Sequence, residues 1–238
     1  MKLMVIGASK GLGRAFVEGL CVPGDSVIGV SRRRPDDLVL PQQVTLDWIE
    51  ADLSQPLPAL QQLTQQAPAA LDVLICNLGI WEATAFSDDY DFLSQDPAQL
   101  ADLVNTNLTS TLLLLQLLVP RLLTSHKPRL LLTGSTSGLP GSGRPEVAFG
   151  ATKFALSGIA DALRENYRGQ NLGVTCLQLG YLNTDHDLRV PLSQAAAHGD
   201  GALIPLHDVV QLVQSLLALS PASYVRELVL PAIADPRF

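Results

Sequence analysis

Positive charge is in short supply in this chain. Lys and Arg number 16 against 23 Asp and Glu, for a net charge of −7 and a pI near 5.0. That balance excludes general affinity for nucleic acid or an anionic membrane, so any anion site must be local. Cysteine is sparse as well. Cys21, Cys76 and Cys176 are odd in number, widely spaced and set among apolar residues, which excludes a disulfide framework and suits buried thiols in a reducing compartment, read here as the cytoplasm. No uninterrupted apolar run reaches membrane length: Leu108 to Leu123 is broken by Thr, Ser, Gln and Pro. The opening MKLMVIGASK passes straight into glycines, too brief for a signal peptide. Internal repeats and low-complexity linkers are also lacking.

What is present is a large apolar fraction, 47% against 16% charged, with a mean hydropathy of +0.24 over 238 residues. A chain of this length and composition folds around one buried interior, so residues 1–238 are expected to form a single α/β domain that buries further surface by oligomerising.

Short apolar runs alternate with longer helical patterns from end to end, the signature of a parallel sheet with crossover helices. Seven strand candidates stand out: LMVIG, SVIGVS, QVTLDWIEA, LDVLICN, RLLLTG, GVTCLQL and RELVLP. Helices are expected over Gly11 to Leu20, Pro56 to Gln66, Pro97 to Ser125 in one or two pieces, Ala148 to Arg168 and Leu206 to Leu219. Two loops directly follow strands, Ser135 to Val147 and Tyr181 to Gly201. In an open parallel sheet ligands sit beyond the carboxyl ends of the strands, so both loops should border the site.

The first strand runs into GASKGLG, where Gly7, Gly11 and Gly13 open a helix. Glycines there allow a tight turn and let helix N–H groups approach a pyrophosphate; the alternative is a turn that only packs helix on strand. The second strand ends at Ser31 and Arg32, where a pocket selecting NAD would present an acid to the ribose hydroxyls. Arg32 with Lys10 could instead pair with a 2′-phosphate and Ser31 hydrogen-bond it, which favours NADPH; otherwise Arg32 to Arg34 form a solvated turn.

These residues and those that follow resemble the short-chain dehydrogenase/reductase family in its compact single-domain form, over nearly the whole chain. Asp52 looks like that family's adenine contact, and CNLG from Cys76 to Gly79 looks like its Asn-Asn-Ala-Gly segment. The resemblance further assigns Ser9 and Leu12 in the glycine turn, Leu53, Asn77, Gly79, Lys153, Gly180 and Thr184 to the cofactor pocket. Asn107, Ser135 and Lys153 match three of four catalytic positions; the fourth, a Tyr four residues before the Lys, is Phe149. The implied fold is a doubly wound Rossmann-type parallel sheet of about seven strands.

The chemistry that needs such a set is simple. Hydride delivered to a carbonyl carbon leaves an alkoxide that must receive a proton. A phenol has a pKa of about 10, which a nearby ammonium lowers toward working pH. By resemblance Ser135 would hydrogen-bond the substrate oxygen, and Asn107 would hold a water relaying protons from Lys153. Phe149 keeps the ring and loses the proton. Singly, Ser135 reads as a turn former, Asn107 as a helix irregularity and Lys153 as a solvated helix residue. Their joint spacing of 28, 14 and 4 residues argues for a site.

Two further departures from the family pattern, Leu78 for Ala and Leu179 for Pro, border the nicotinamide end by resemblance. Tyr181 and His186 are conceivable replacement acids, with loop packing as the plainer alternative. The reading is an NADP(H)-dependent reductase of a small carbonyl, or the reverse alcohol oxidation, impaired at Phe149. Its alternative is a non-catalytic NADPH-binding sensor or silent partner subunit. A homodimer or homotetramer is expected through the helices at Asn105 to Ser125 and Ala148 to Arg168; no metal site is expected.

Overall fold

A computed structural model describes residues 1–238. Seven strands form one parallel sheet: β1 (Lys2–Ile6), β2 (Ser26–Ser31), β3 (Thr45–Glu50), β4 (Val73–Cys76), β5 (Arg129–Thr133), β6 (Gly173–Leu179) and, near the end of the chain, Glu227–Leu230. A two-residue parallel pair, β7 (Leu182–Asn183) with β8 (Ile204–Pro205), precedes that last strand, which is therefore β9. The sheet order is β3-β2-β1-β4-β5-β6-β9, every pair parallel. The central strands are apolar on both faces because helices cover both. Met4 and Ile6 of β1 enter one core and Leu3 and Val5 the other, as the two-residue period of a strand requires.

The crossover helices are α1 (Gly11–Gly19), α2 (Pro56–Gln66), α3 (Pro97–Val104), α4 (Ser110–Leu122), α5 (Val147–Asn166), α6 (Leu192–Ala197) and α7 (Leu206–Ala218). Leucines of α2, α4 and α5 build the core on one face, while α1 and α7 cover the other. Burying each such side chain stabilises by about 1.5–3 kcal/mol before the cost of ordering the chain. The stretch Pro97–Leu122 has the length and apolarity of a membrane span, yet Leu114, Leu115, Leu118, Val119 and Leu122 pack into that core.

Asp96 caps α3 by accepting from Ala98 N–H at 3.0 Å, and Pro97 occupies the first turn, where its missing N–H costs nothing. The expected helix from Pro97 to Ser125 is divided by a single π turn, Asn105–Thr109, between α3 and α4. The wide turn sits at Asn107, which is buried. The order in which strands are added reverses between β1 and β4, so the loops after these two parallel strands part and leave a crevice at their carboxyl ends. The glycine turn and Asn77 both lie at this crevice.

Candidate active site at the carboxyl edge of the sheet

The nucleotide end of the crevice is made by backbone. Gly7 follows β1 at φ +77°, a left-handed conformation, and a Cβ there would stand 2.4 Å from the Asn77 carbonyl oxygen. Gly13, one turn into α1, is closer still: its Cβ would lie 2.0 Å from the Gly7 carbonyl oxygen. The turn is therefore a cradle with its side chains deleted, opening on the N-terminus of α1, which points N–H groups at a ligand. Asn77 joins it from β4, its N–H donating to the Ile6 carbonyl at 3.0 Å. Thr184, from the segment after β6, reaches the same turn, with its methyl 3.4 Å from where a Gly11 Cβ would be. Leu12 is buried and Ser9 half-buried in this turn.

Arg32 and Lys10 are exposed at the adjoining edge and make no ion pair, whereas Arg14 is spent on Glu18 and Asp37. Ser31 differs from its expected part: its hydroxyl donates to the Arg33 carbonyl at 2.7 Å, leaving only lone pairs for a ligand. Asp52 folds over a local turn, accepting from Ser54 N–H at 3.1 Å and from its hydroxyl at 2.8 Å. Leu53 turns inward to the core, and its carbonyl takes the Ser110 hydroxyl at 2.6 Å.

Beyond this end lie the residues expected to do the chemistry. Lys153 is 5% exposed, and Nζ donates to the carbonyls of Thr133 at 2.8 Å and Leu78 at 3.2 Å. No carboxylate pairs with it, so burial lowers its pKa to about 8. Two of its three N–H groups are thereby spent and one remains. Gly79 makes room for it; a Cβ there would press on Nζ at 3.0 Å. Phe149, one helical turn earlier on α5, has its ring centroid 5.6 Å from Nζ.

Ser135 caps the short turn Thr136–Gly138 after β5, its Oγ accepting from Ser137 N–H at 3.1 Å. The hydroxyl proton is uncommitted and free to donate. That turn rests on α5 beside Lys153, since a Cβ on Gly138 would stand 2.7 Å from the Lys153 carbonyl carbon. Gln178, fully buried on β6, fixes Ser135 by accepting its N–H at 3.1 Å. Gln178 was not anticipated from the sequence; a lone amide in the mostly apolar GVTCLQL was the available signal.

Asn107 is placed beside this cluster as a strut. Its Nδ2 group donates to the Ile80 carbonyl at 2.7 Å and to Thr152 Oγ1 at 3.1 Å, and its Oδ1 accepts from Ile80 N–H at 2.8 Å. The main-chain carbonyl takes the Thr111 hydroxyl at 2.7 Å. Both amide protons are used, and none of these bonds reaches Lys153.

Glu82 and Glu146 were also missed. Glu82, 3% exposed, accepts from Ala148 N–H at 2.9 Å and Phe149 N–H at 3.2 Å, capping α5 from a distant loop. Glu146, 4% exposed, accepts from Phe86 N–H at 3.1 Å. Neither forms an ion pair, and each keeps one buried oxygen without a partner. They back a cluster of rings: Phe86 meets Phe149 at 5.2 Å, Tyr181 at 5.6 Å and Trp81 at 5.8 Å between centroids, the first two nearly perpendicular.

Tyr181 stands in that wall with its oxygen accepting from Arg144 at 3.0 Å; burial raises its pKa, which makes it a weaker acid. His186 is elsewhere in its loop, against Asn183 at 3.3 Å and with its ring centroid 4.7 Å from that of His198, the two rings tilted by 53°. Gly180 and Leu179 hold the C-terminal segment and the core: Gly180 N–H donates to the Leu230 carbonyl at 2.9 Å, and Leu179 is buried. Leu78 packs on the other core. A cavity of about 460 Å³ lies at the opposite, amino-terminal edge of β5, lined by Arg129 and by Arg164, Arg168 and Arg226, the last three already paired with Asp161 or Glu165.

A glycine cradle at the switch point of a parallel sheet, with a buried lysine and a serine hydroxyl beside it, defines a protein of the Rossmann type. The short chain dehydrogenase family model matches residues 2–194, and the chain belongs to that family of oxidoreductases. Among similar proteins, a 3-oxoacyl-[acyl-carrier-protein] reductase of Escherichia coli is 24% identical, covering 76% of this chain and 73% of its own. A farnesol dehydrogenase of Aedes aegypti is 26% identical over 98% and 96%. The same fold occurs in the Pseudomonas aeruginosa RhlG/NADP active-site complex, with a TM-score of 0.74, 22% identity and coverage of 96% and 93%. It occurs also in serine dehydrogenase from Escherichia coli, with a TM-score of 0.72, 20% identity and 96% coverage of each chain.

Proposed function

We propose that this chain transfers hydride between NADPH and a small ketone or aldehyde, or the corresponding alcohol, with the proton step slowed by Phe149. One observation carries the reading: a buried lysine without a counter-ion sits beside a serine with an uncommitted proton, at the end of a cradle from which side chains are excluded. The exposed, unpaired Arg32 and Lys10 favour a 2′-phosphate at the outer edge of that cradle.

When bound, the nicotinamide supplies the hydride. Gly7, Gly11 and Gly13 admit the pyrophosphate against the α1 N-terminus. Ser135 donates its free proton to the substrate oxygen, held in place by Gln178 behind it. Lys153 lies one helical turn from the ring that would carry the phenol, and its remaining N–H passes a proton to the developing alkoxide through water. With a pKa of about 8, Lys153 is charged at neutral pH and a better donor than an exposed lysine.

The apolar residues left exposed on α3, α4 and α5, namely Val104, Leu112, Val147 and Phe154, suit packing against a second copy, and the buried free thiols suit a reducing cytoplasm.

The test is NADPH absorbance followed on a panel of ketones and aldehydes, with this chain run beside Phe149→Tyr. The variant should turn over about 10²–10⁴-fold faster at unchanged NADPH affinity. A variant no faster on substrates that the parent reduces would sink the missing-acid account. Silence from both with NADPH bound would make the protein a nucleotide-binding subunit instead.

A further inference from the structure

We propose that Phe86, seated by Glu146, makes this site selective for neutral, apolar ketones or aldehydes of ring size, and against carbonyl compounds that carry a carboxylate. The inference rests on the carbonyl chemistry proposed above and names its substrate class.

Phe86 is one of four non-glycine residues with a positive φ, at +67°. An aromatic side chain rarely occupies that left-handed region, so the conformation persists only where neighbours over-determine it. Here the neighbour is a buried carboxylate: Glu146 Oε1 takes the Phe86 N–H at 3.1 Å. The result is that the Phe86 ring lies against Phe149, Trp81 and Tyr181 together, three residues contributed by different parts of the chain. Trp81 remains 56% exposed, so the wall presents apolar surface outward instead of closing into the core. Phe149 connects this wall to the catalytic end, one helical turn from Lys153.

Charge around the wall points the same way. Glu82 and Glu146 lie behind the rings without cationic partners, each with an unpartnered buried oxygen. The nearby cation, Arg144, is stacked over Tyr181 at 4.7 Å and already paired with the fully buried Asp235. An incoming carboxylate would therefore face two carboxyl groups behind the rings, while the unpaired cations near the wall are Lys153, held beyond Phe149 by two main-chain carbonyls, and Arg237, which is exposed to solvent and bonded to the Gly143 carbonyl. A neutral ring meets four aromatic faces and edges.

Binding separates this proposal from the reductase reading. Trp81 fluorescence is titrated in the NADP⁺-loaded protein with acetophenone and with benzoylformate, in which a carboxylate replaces the methyl group; Trp48, packed on Gly29, gives a constant background. Acetophenone should quench saturably and bind at least about tenfold more tightly than benzoylformate. Phe86→Gly, which suits the backbone and removes the ring, should weaken acetophenone about tenfold while NADPH affinity and the thermal midpoint hold. Phe86→Leu serves if the glycine variant fails to fold. Glu146→Ala should weaken acetophenone too. Glu146→Gln, which keeps an oxygen for the Phe86 N–H and removes a charge, should restore acetophenone and narrow its advantage over benzoylformate.

Equal affinity for the two probes, no saturable acetophenone binding, or indifference to the loss of the Phe86 ring would each overturn the proposal. Selective binding with no NADPH oxidation would leave it standing and remove the reductase reading.

Discussion

The two ends of this site are built from different materials. At the nucleotide end the chain removes side chains, so that Gly7, Gly13 and the start of α1 meet a ligand with bare backbone. At the substrate end it adds them: four rings, two buried carboxylates and one buried lysine. A backbone cradle admits few changes, because each added carbon strikes another backbone atom. A side-chain wall can be altered one residue at a time, and the proposed reading treats Phe149 as such an alteration.

The sharpest way to break the comparison is at the cradle. Gly13→Ala puts a carbon 2.0 Å from the Gly7 carbonyl oxygen and 2.9 Å from Asn77 Nδ2, neither of which can yield without moving the strand ends. The expected cost is at least about 3 kcal/mol in stability, read in denaturant melts, with NADPH binding lost. A stable variant that binds NADPH normally would mean that the cradle is looser than its geometry states.

Arg32→Ala tests the outer edge of the same end. A charge-assisted contact to a 2′-phosphate contributes about 1.5–3 kcal/mol, so NADPH should weaken about tenfold to hundredfold and NADH hardly at all. Equal losses for both cofactors would assign Arg32 a general role and leave the phosphate without a partner.

The substrate end is sharpened by pH. Burial lowers the Lys153 pKa from 10.5 to about 8. Reduction needs the proton, so the rate should be flat below that value and fall about tenfold per unit above it. Lys153→Met should abolish the inflection together with most of the rate. An inflection that survives in the variant would move the proton source to another group.

The same contrast explains what could be read in advance. Backbone constraints write themselves into residue type: GASKGLG was legible because only glycine fits the cradle. The alternation of strands and helices was legible for the same kind of reason, since a parallel sheet needs apolar runs covered on both faces. The substrate wall leaves no such trace. Glu82 caps a helix that begins 65 residues later, so local spacing says nothing about it. Phe86 adopts a backbone conformation contrary to its residue type, so its sequence pointed away from its role. The break at Asn105–Thr109 was legible in outline, as a helix in one or two pieces with an irregularity at Asn107, but the apolar pattern on both sides did not say that it would be a π turn. Asn107 stood out by spacing, and its bonds add a function as a strut that spacing could not express.

That function supports the smallest prediction. Thr152 Oγ1 donates to the Phe149 carbonyl at 2.9 Å and accepts from Asn107 Nδ2 at 3.1 Å, so Thr152→Val keeps the shape and strands one buried amide proton. The loss should be about 1–2 kcal/mol, which in a chain of this size lowers the melting temperature by about 2–8 °C. If Asn107 is a strut between the π turn and the loop after β4, turnover per folded molecule should stay the same, because Ser135 and Lys153 are held by Gln178 and by main-chain carbonyls instead. A fall in turnover with no change in melting temperature would instead put the Asn107 side chain on the proton path, and the substrate end would then rely on one more side chain than its hydrogen bonds reveal.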